Sequence, residues 1–233
     1  MSIYGPLEHV GVAAVFQSAA LVSILIVAMG LMVRRQLASA NGGVIPDEGV
    51  TLRNVTELVV DGLANLAREN MGEDWRRWFP LVGTLFVFIL IGNLLNLLPG
   101  VGGPTGDINA TAGWALLSVL VSEYAGIKKH GAKYVKHFLG PAFEIGGRHI
   151  PVMAPLFIVL ELIGHVARVL TLAIRLLANM FADHTLVVIF LGLVPIAIPA
   201  IFLGLGTMVS VLQAFVFALL TMVYIGLNLE DAH

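Results

Sequence analysis

The sequence contains no cysteine and few charged residues. Of its 233 residues, 12% are charged and 58% are hydrophobic. The absence of Cys excludes disulfides and thiolate metal sites. Soluble domains typically carry about 25% charged residues, so this composition excludes an ordinary soluble domain. With a mean hydropathy of +0.92, the chain is predicted to be a polytopic membrane protein.

Familiar nucleotide and metal motifs are also missing. The chain has no P-loop, no dinucleotide fingerprint and no His-Glu-x-x-His pattern. No internal repeat with a period of about 20 to 50 residues is apparent. We therefore expect no resident cofactor, no metal site and no nucleic-acid partner. The first nine residues contain no Lys or Arg, so the apolar run after them lacks the leader of a cleavable signal peptide.

Positive charge is confined to two regions. Of the 13 Lys and Arg, six lie between residues 34 and 77 and five between 128 and 148. Lys and Arg concentrate in the cytoplasmic loops of membrane proteins. Both regions are therefore predicted to be cytoplasmic, with the N-terminus outside. The C-terminus is also expected in the cytoplasm, but its tail NLEDAH has no Lys or Arg, so charge does not decide its side.

The hydropathy pattern predicts an all-α fold in a single membrane domain over residues 1–233. About five membrane helices are expected, the last two long and strongly tilted, together with one amphipathic helix at the cytoplasmic interface. In the amphipathic helix, Leu52 and Val59 belong to the apolar side, and Arg53 and Glu57 are expected on the other. The predicted ranges are 10–33, 51–71 (amphipathic), 79–98, 111–127, 151–191 and 200–227.

The last part of the chain is almost wholly apolar from Pro151 to Gly226, with one cluster of helix breakers, GLVPIAIP, over 192–199. This pattern favours two long helices over three of ordinary length, although three spans remain an alternative. A helix of about 40 residues is about 60 Å long, twice the hydrocarbon thickness, so it must tilt or bend.

Polar side chains recur along the first of these helices at steps of three or four residues, so they share one face. The series is Glu161, His165, Arg168, Leu172, Arg175, Asn179 and Asp183. A charge at the centre of a bilayer costs about 2.5 to 3.5 kcal/mol on insertion scales. Ionisable residues at this depth therefore indicate function, and a group facing them must offset the cost.

Arg175 is the residue that most requires a partner. It lies too far from both helix ends to reach the headgroups, and its guanidinium stays protonated. Glu161 and Asp183 are too distant along the helix to form close pairs with it. Its anion is therefore expected on another helix or another subunit, with a purely structural ion pair as the alternative.

His184 lies nine residues beyond Arg175, about two and a half turns, so the helix presents the two on opposite sides. An imidazole is suited to relaying protons, whereas a permanent cation attracts a carboxylate and blocks protons. A role only at a helix end or in packing is the alternative to proton transfer for Glu161, Asp183 and His184. Arg168 has Glu161 or a lipid phosphate as expected partners, and His165 is expected to be a local partner of these two.

The final helix has its own polar track, which includes Ser210, Gln213 and Tyr224. These residues either line a hydrated path or bond the preceding helix, and hydroxyls bonded back to their own helix are the alternative for the Ser. Asp107, in the predicted outer loop, either starts the next helix or lies at a channel mouth.

Four segments resemble one known family. The run TLAIRLLANMFADH around Arg175 is similar to the signature of subunit a of the F-type ATP synthase, and LQAFVF over 212–217 is similar to its last-helix motif. The segments NLLNLLP over 93–99 and DIN over 107–109 resemble its earlier span and outer loop.

The resemblance implies a proton-conducting stator subunit with two offset half-channels, which is not catalytic on its own. Arg175 would be the essential arginine that attracts each deprotonated carboxylate of a rotating ring of c subunits. Asn179 and Gln213 would flank that contact, and Glu161, Asp183 and His184 would belong to the aqueous route. The implied partners are the c ring, b-type peripheral stalk subunits, the rest of the complex and lipid, in a bacterial inner or plasma membrane.

One pair of positions departs from the family pattern. Many members carry Glu at the position of His184 and His at the position of Gly206, and others reverse the two. This chain has His184 with Gly206, and an acid at Asp183. We therefore expect Asp183 and His184 together to supply what other members divide between two helices. An ion-coupled secondary transporter is the rival interpretation, although such proteins typically show inverted repeats.

Overall fold

The computed structural model describes residues 14–39, 51–98, 102–131, 143–145, 148–150, 154–193 and 197–230. Within these ranges the chain is almost entirely helical. The helices are α1 (Ala14–Ser39), α2 (Leu52–Met71), α3 (Trp75–Asn96), α4 (Ile108–His130), α5 (Ala154–Leu193) and α6 (Ala197–Leu229). Two short antiparallel strands, β1 (Phe143–Ile145) and β2 (Arg148–Ile150), pair between α4 and α5.

The helices confirm an all-α polytopic membrane fold. Four helical stretches in the described residues are long and apolar enough to cross a membrane: Ala14–Leu37, Leu52–Asn96, Ile108–His130 and Ala200–Leu229. Helix α5, with 40 residues, is a further long apolar helix. It extends about 60 Å, so it cannot stand upright in a hydrocarbon layer of about 30 Å.

The region after residue 153 forms two long helices and not three short ones. Helix α5 runs unbroken for 40 residues, and α6 runs for 33. Helix α5 ends at Leu193 and α6 begins at Ala197, both inside the Gly- and Pro-containing cluster. Neither helix is interrupted at its polar residues, because the side chains along one face leave the backbone hydrogen bonds intact.

Helix α6 is the centre of the packing, since it contacts α2, α3, α4 and α5. Its buried face includes Phe217, Ala218, Met222 and Ile225, each with no exposed surface. The α4 contact also contains a buried hydroxyl pair, in which Ser118 and Thr221 lie 2.7 Å apart. Small and polar residues at such contacts let membrane helices approach closely and bond one another.

Helix α2 begins and ends with local capping. The Thr51 side chain accepts a hydrogen bond from the Asn54 N–H, and Gly72 follows the last turn with a φ of +59°. That left-handed conformation favours glycine. The sequence prediction for Arg53 was wrong, because its side chain is fully buried and its Nε donates to Glu57 at 2.8 Å. A buried guanidinium requires such a paired carboxylate, and the alternation of apolar residues alone does not reveal it.

Helix α6 closely approaches the backbone of α2 at Gly226. A side-chain carbon at this position would overlap the carbonyl oxygen of Asn70 in α2. The contact therefore requires glycine, and it fixes the amphipathic helix against the end of α6.

We expect Gly226→Ala to lower the free energy of unfolding by about 1 to 3 kcal/mol, because the added methyl must displace backbone. The matched control is Gly113→Ala in α4, where nothing lies within 4 Å of the new carbon. That variant should be neutral or more stable by up to about 1 kcal/mol. Thermal unfolding in detergent measures both, and equal stability of the two variants would contradict the packing described here.

Candidate functional site

The polar residues of α5 lie along the boundary between its packed face and its exposed face. Leu172 and Leu176 are buried, whereas Ile174 and Phe181 are 56% and 71% exposed. The polar members of the series are partly buried at the edge between these faces: Glu161, His165, Arg168, Arg175, Asn179 and Asp183. Leu172 alone faces the core. The series therefore lies beside α6 and is still reachable from the membrane-facing side.

Arg175 lies near the middle of α5 and is partly buried. Among the described residues, no carboxylate lies within ion-pair distance of its guanidinium, and no hydrogen bond to it is formed. A permanent cation at this depth is unfavourable without an anion. Its counter-charge is therefore absent from the described part of this chain.

One turn beyond Arg175, Asn179 bonds across to α6. Its Nδ2 donates to Oε1 of Gln213 at 2.9 Å, and Gln213 is buried. Gln213 Nε2 and the buried Ser210 Oγ have no hydrogen-bond partner in the described structure. The bond back to its own helix that was the alternative for Ser210 is therefore not formed. Buried polar atoms without a protein partner are places where water or a ligand binds.

Further along α5, Asp183 packs against Gly206 of α6. A side-chain carbon built at Gly206 would lie 3.4 Å from Cγ and Oδ2 of Asp183, and 2.7 Å from Cδ2 of Leu97, the residue that follows α3. The Asp183 carboxyl group therefore lies in van der Waals range of this position, and a larger residue there would have to displace the Leu97 side chain. His184 follows within the same helix, but its side chain lies outside the described residues.

Near the start of α5 a second polar group forms, here named the inner cluster: Glu123, Glu161, His165 and Asn228. His165 Nε2 lies 2.7 Å from Oε1 of Glu123 in α4. Its Nδ1 lies 2.7 Å from the Glu161 carbonyl oxygen and 3.6 Å from Oε1 of the same residue. Asn228 Nδ2 of α6 donates to Oε1 of Glu123 at 3.1 Å. Three helices therefore meet at this cluster.

Sequence analysis missed Glu123 as a site residue. His165 contacts its local neighbour Glu161, as expected, but its shortest side-chain partner comes from another helix. The available signal was an acidic residue near the end of α4 that is predicted to be cytoplasmic. Without the register between α4 and α5, that signal does not identify a pair.

Arg168 has a partner that was not expected, whereas Asp107 has one of its two expected roles. The Arg168 guanidinium lies 4.8 Å from the centre of the Tyr224 ring in α6, a cation–π contact, and among the described residues it forms no ion pair with Glu161. Tyr224 thus bonds the preceding helix. Asp107 starts α4, where its Oδ1 accepts a hydrogen bond from the Asn109 N–H at 2.7 Å.

The chemistry available along this path is acid–base and electrostatic. Carboxylates and imidazoles exchange protons, and Arg175 attracts anions without giving up its own proton. Within the described residues, no group of three or more His, Cys, Asp or Glu side chains could hold a metal ion.

These features define a class, the multi-pass membrane proteins with ionisable side chains at bilayer depth, where such residues mark ion paths. The family model for the ATP synthase A chain matches residues 16–226. The chain belongs to the ATP synthase A chain family.

Individual relatives are similar over nearly the whole chain. It is 40% identical over 227 residues to "ATP synthase subunit a 1" of Syntrophotalea carbinolica, which covers 97% of this chain and 90% of the relative. It is 41% identical over 214 residues to "ATP synthase subunit a" of Geobacter sp. strain M21, an alignment that covers 92% of this chain and 89% of the relative. "ATP synthase subunit a 3" of Pelobacter propionicus is 39% identical over 213 residues, with 91% and 86% covered.

We expect the Asn179–Gln213 bond to stabilise the contact between α5 and α6 modestly. Interhelical hydrogen bonds in membranes are worth about 0.6 kcal/mol on average and up to about 1.7 kcal/mol. A double-mutant cycle with Asn179→Ala and Gln213→Ala, measured by thermal unfolding in detergent, should give a coupling energy in this range. As a control, Asn179→Ala combined with Thr84→Ala should be additive, because the Thr84 hydroxyl bonds the Pro80 carbonyl oxygen of its own helix. Strict additivity of the first pair would argue against the bond.

Proposed function

We propose that this chain is the proton-conducting stator subunit of the membrane sector of an ATP synthase. It would provide two offset half-channels and would couple proton flow to rotation of a ring of c subunits. ATP would be made elsewhere in the complex, so the chain would not be catalytic on its own. Family membership and the relatives' names support the coarse function, and the site geometry supports the details.

The observation that carries the proposal is the lack of an anion for Arg175. A guanidinium in the middle of an apolar helix, with no carboxylate from the described residues, is complementary to an acid brought by another subunit. Arg175 also lies at the edge of a face with exposed Ile174 and Phe181, so a partner helix can approach it from the membrane. A ring carboxylate meets both requirements.

Two groups of titratable residues lie on either side of Arg175 along α5. Towards the start of the helix lies the inner cluster, and towards its end lie Asp183 and His184. A proton can enter through one group, bind the ring carboxylate, travel with the ring and leave through the other. Arg175 between them blocks direct passage, because a fixed positive charge repels protons and keeps the passing acid ionised.

The space beside Gly206 supports a relay at Asp183 and His184. The Asp183 carboxyl group lies 3.4 Å from a side-chain carbon built at Gly206, the position where the family pattern described above has a side chain from the last helix. The acid and the imidazole would therefore both come from α5 in this chain. Moving each charge through 100 mV is worth about 2.3 kcal/mol, so several protons must pass for each ATP.

The proposed orientation places the N-terminus outside and the C-terminus in the cytoplasm. Lys128, Lys129 and His130 end α4 on the predicted cytoplasmic side, and Lys129 lies 3.6 Å from Asp74 at the start of α3. Partners are the c ring, b-type peripheral stalk subunits and the rest of the complex, in the bacterial inner or plasma membrane. The exposed apolar faces of α1 and α5 are suited to lipid and to these membrane partners.

Arg175→Ala should abolish coupling. We expect ATP synthesis in membrane vesicles to fall at least about 100-fold, the usual effect of removing one preorganised charge from a reacting site. The matched control is Arg68→Ala, which removes an arginine that lies over Trp75, outside the proposed path. That variant should keep its synthesis rate. Retained ATP synthesis in an assembled Arg175→Ala complex would refute the charge gate.

His184→Ala should slow proton flux by about 100-fold while leaving assembly intact, since a positioned acid–base group contributes at least that much to proton transfer. ATP-driven pumping into inverted vesicles measures the flux, and immunodetection of the complex measures assembly. Normal pumping in this variant would exclude His184 from the relay.

A further inference from the structure

The inner cluster contains a proton whose position follows from geometry. The Glu161 carbonyl oxygen can only accept a hydrogen bond, so the imidazole Nδ1 that lies 2.7 Å from it carries a hydrogen. The other ring nitrogen, Nε2, lies 2.7 Å from Oε1 of Glu123. The angle at Nε2 is not that of an aligned hydrogen bond. A lone pair facing an ionised carboxylate at this distance would nevertheless be repulsive, so the contact requires one proton on either His165 or Glu123.

That proton can be bound to either residue. In one form His165 is an imidazolium beside an ionised Glu123, and in the other a neutral imidazole accepts from a protonated Glu123. Both forms have the same net charge, and both keep the Nδ1 bond to the backbone. The pair thus holds one exchangeable proton without any rearrangement of the helices.

The surrounding charges are compatible with both the protonated and the deprotonated form of the pair. The titratable or charged groups on this part of the three helices include Tyr124 and Lys128 on α4, Glu161 and Arg168 on α5, and Tyr224 on α6. Glu161 and Arg168 carry opposite charges, and Lys128 lies over Tyr124. With its proton the His165–Glu123 pair is neutral. Without it the pair carries one negative charge, which the Asn228 amide stabilises through its hydrogen bond to Oε1 of Glu123.

We propose that the His165–Glu123 pair is the proton-holding station on the cytoplasmic side of Arg175, an inference that rests on the function proposed above. Ten residues separate His165 from Arg175, about 15 Å along α5. The pair therefore does not touch the ring carboxylate. During ATP synthesis it accepts protons that the ring releases and passes them to the cytoplasmic surface. During ATP-driven pumping it takes protons from the cytoplasmic surface and passes them to the ring.

The competing explanation is a purely structural link between α4 and α5. Both explanations predict slower ATP synthesis when the pair is broken, so the test needs a measurement that a change in packing alone does not alter. The pH dependence on the cytoplasmic side is such a measurement, because a station exchanges protons only with that side.

The experiment uses the complete ATP synthase in liposomes, with ATP synthesis driven by a fixed membrane potential. The pH is varied on one side at a time. We expect Glu123→Gln and His165→Gln each to slow synthesis about tenfold or more and to shift the profile against cytoplasmic-side pH. The profile against pH on the opposite side should keep its shape. Glu123→Gln is nearly isosteric and retains an acceptor for Asn228, so it removes the charge with little loss of packing.

A double variant tests whether the two residues share one proton. Glu123→Gln with His165→Gln should be no slower than the slower single variant, because each change deletes the same proton. The structural control is Ser118→Ala, which removes the buried hydroxyl contact between α4 and α6 and contains no ionisable group. It should leave both pH profiles unchanged.

Several results would overturn this assignment. They are unchanged cytoplasmic-side profiles in both single variants, multiplicative effects in the double variant, or the same profile shift in Ser118→Ala. Failure of both single variants to assemble would indicate the structural link.

Arg175→Ala in the same liposomes separates the two proposals. If the Arg175→Ala complex stays coupled, the proposed stator function is wrong. If it loses coupling while the His165 and Glu123 variants keep normal pH profiles, only the proton-holding station is rejected.

Discussion

A permanent positive charge in the middle of an apolar helix is the constraint on which the rest of the structure depends. Arg175 cannot lose its proton, and the described residues provide no carboxylate for it. The protein tolerates this because α5 is long, tilted and partly buried against α6, so the guanidinium lies at an edge and not in bulk lipid. The other polar residues of the α5 series are likewise partly buried along that edge.

The framework that holds α5 in place is α6, whose buried face combines large apolar side chains with small and hydroxyl-bearing ones. Phe217 and Met222 fill the space between helices, while Ser118 and Thr221 bond across it. Lipid supplies no hydrophobic drive for helix association, so close packing and interhelical hydrogen bonds must provide it. The Asn179–Gln213 bond belongs to the same set of contacts, although it also lies in the proposed proton path.

Much of the fold follows from sequence alone, because helix length and hydropathy are local properties. The two long final helices follow from a single cluster of breakers, and the polar edge of α5 follows from its spacing. The cross-helix partners do not, since they depend on how far one helix slides along another. Glu123 beside His165, Tyr224 beneath Arg168 and the burial of Arg53 all required that register.

The close contact at Gly206 also limits which side chains this position accepts. A larger residue introduced there would meet Cδ2 of Leu97, whose side chain would have to turn away, and would lie against the Asp183 carboxyl group. The room beside Gly206 is therefore shared by α5, α6 and the residue that follows α3, so enlarging one of these side chains requires its neighbours to adjust with it.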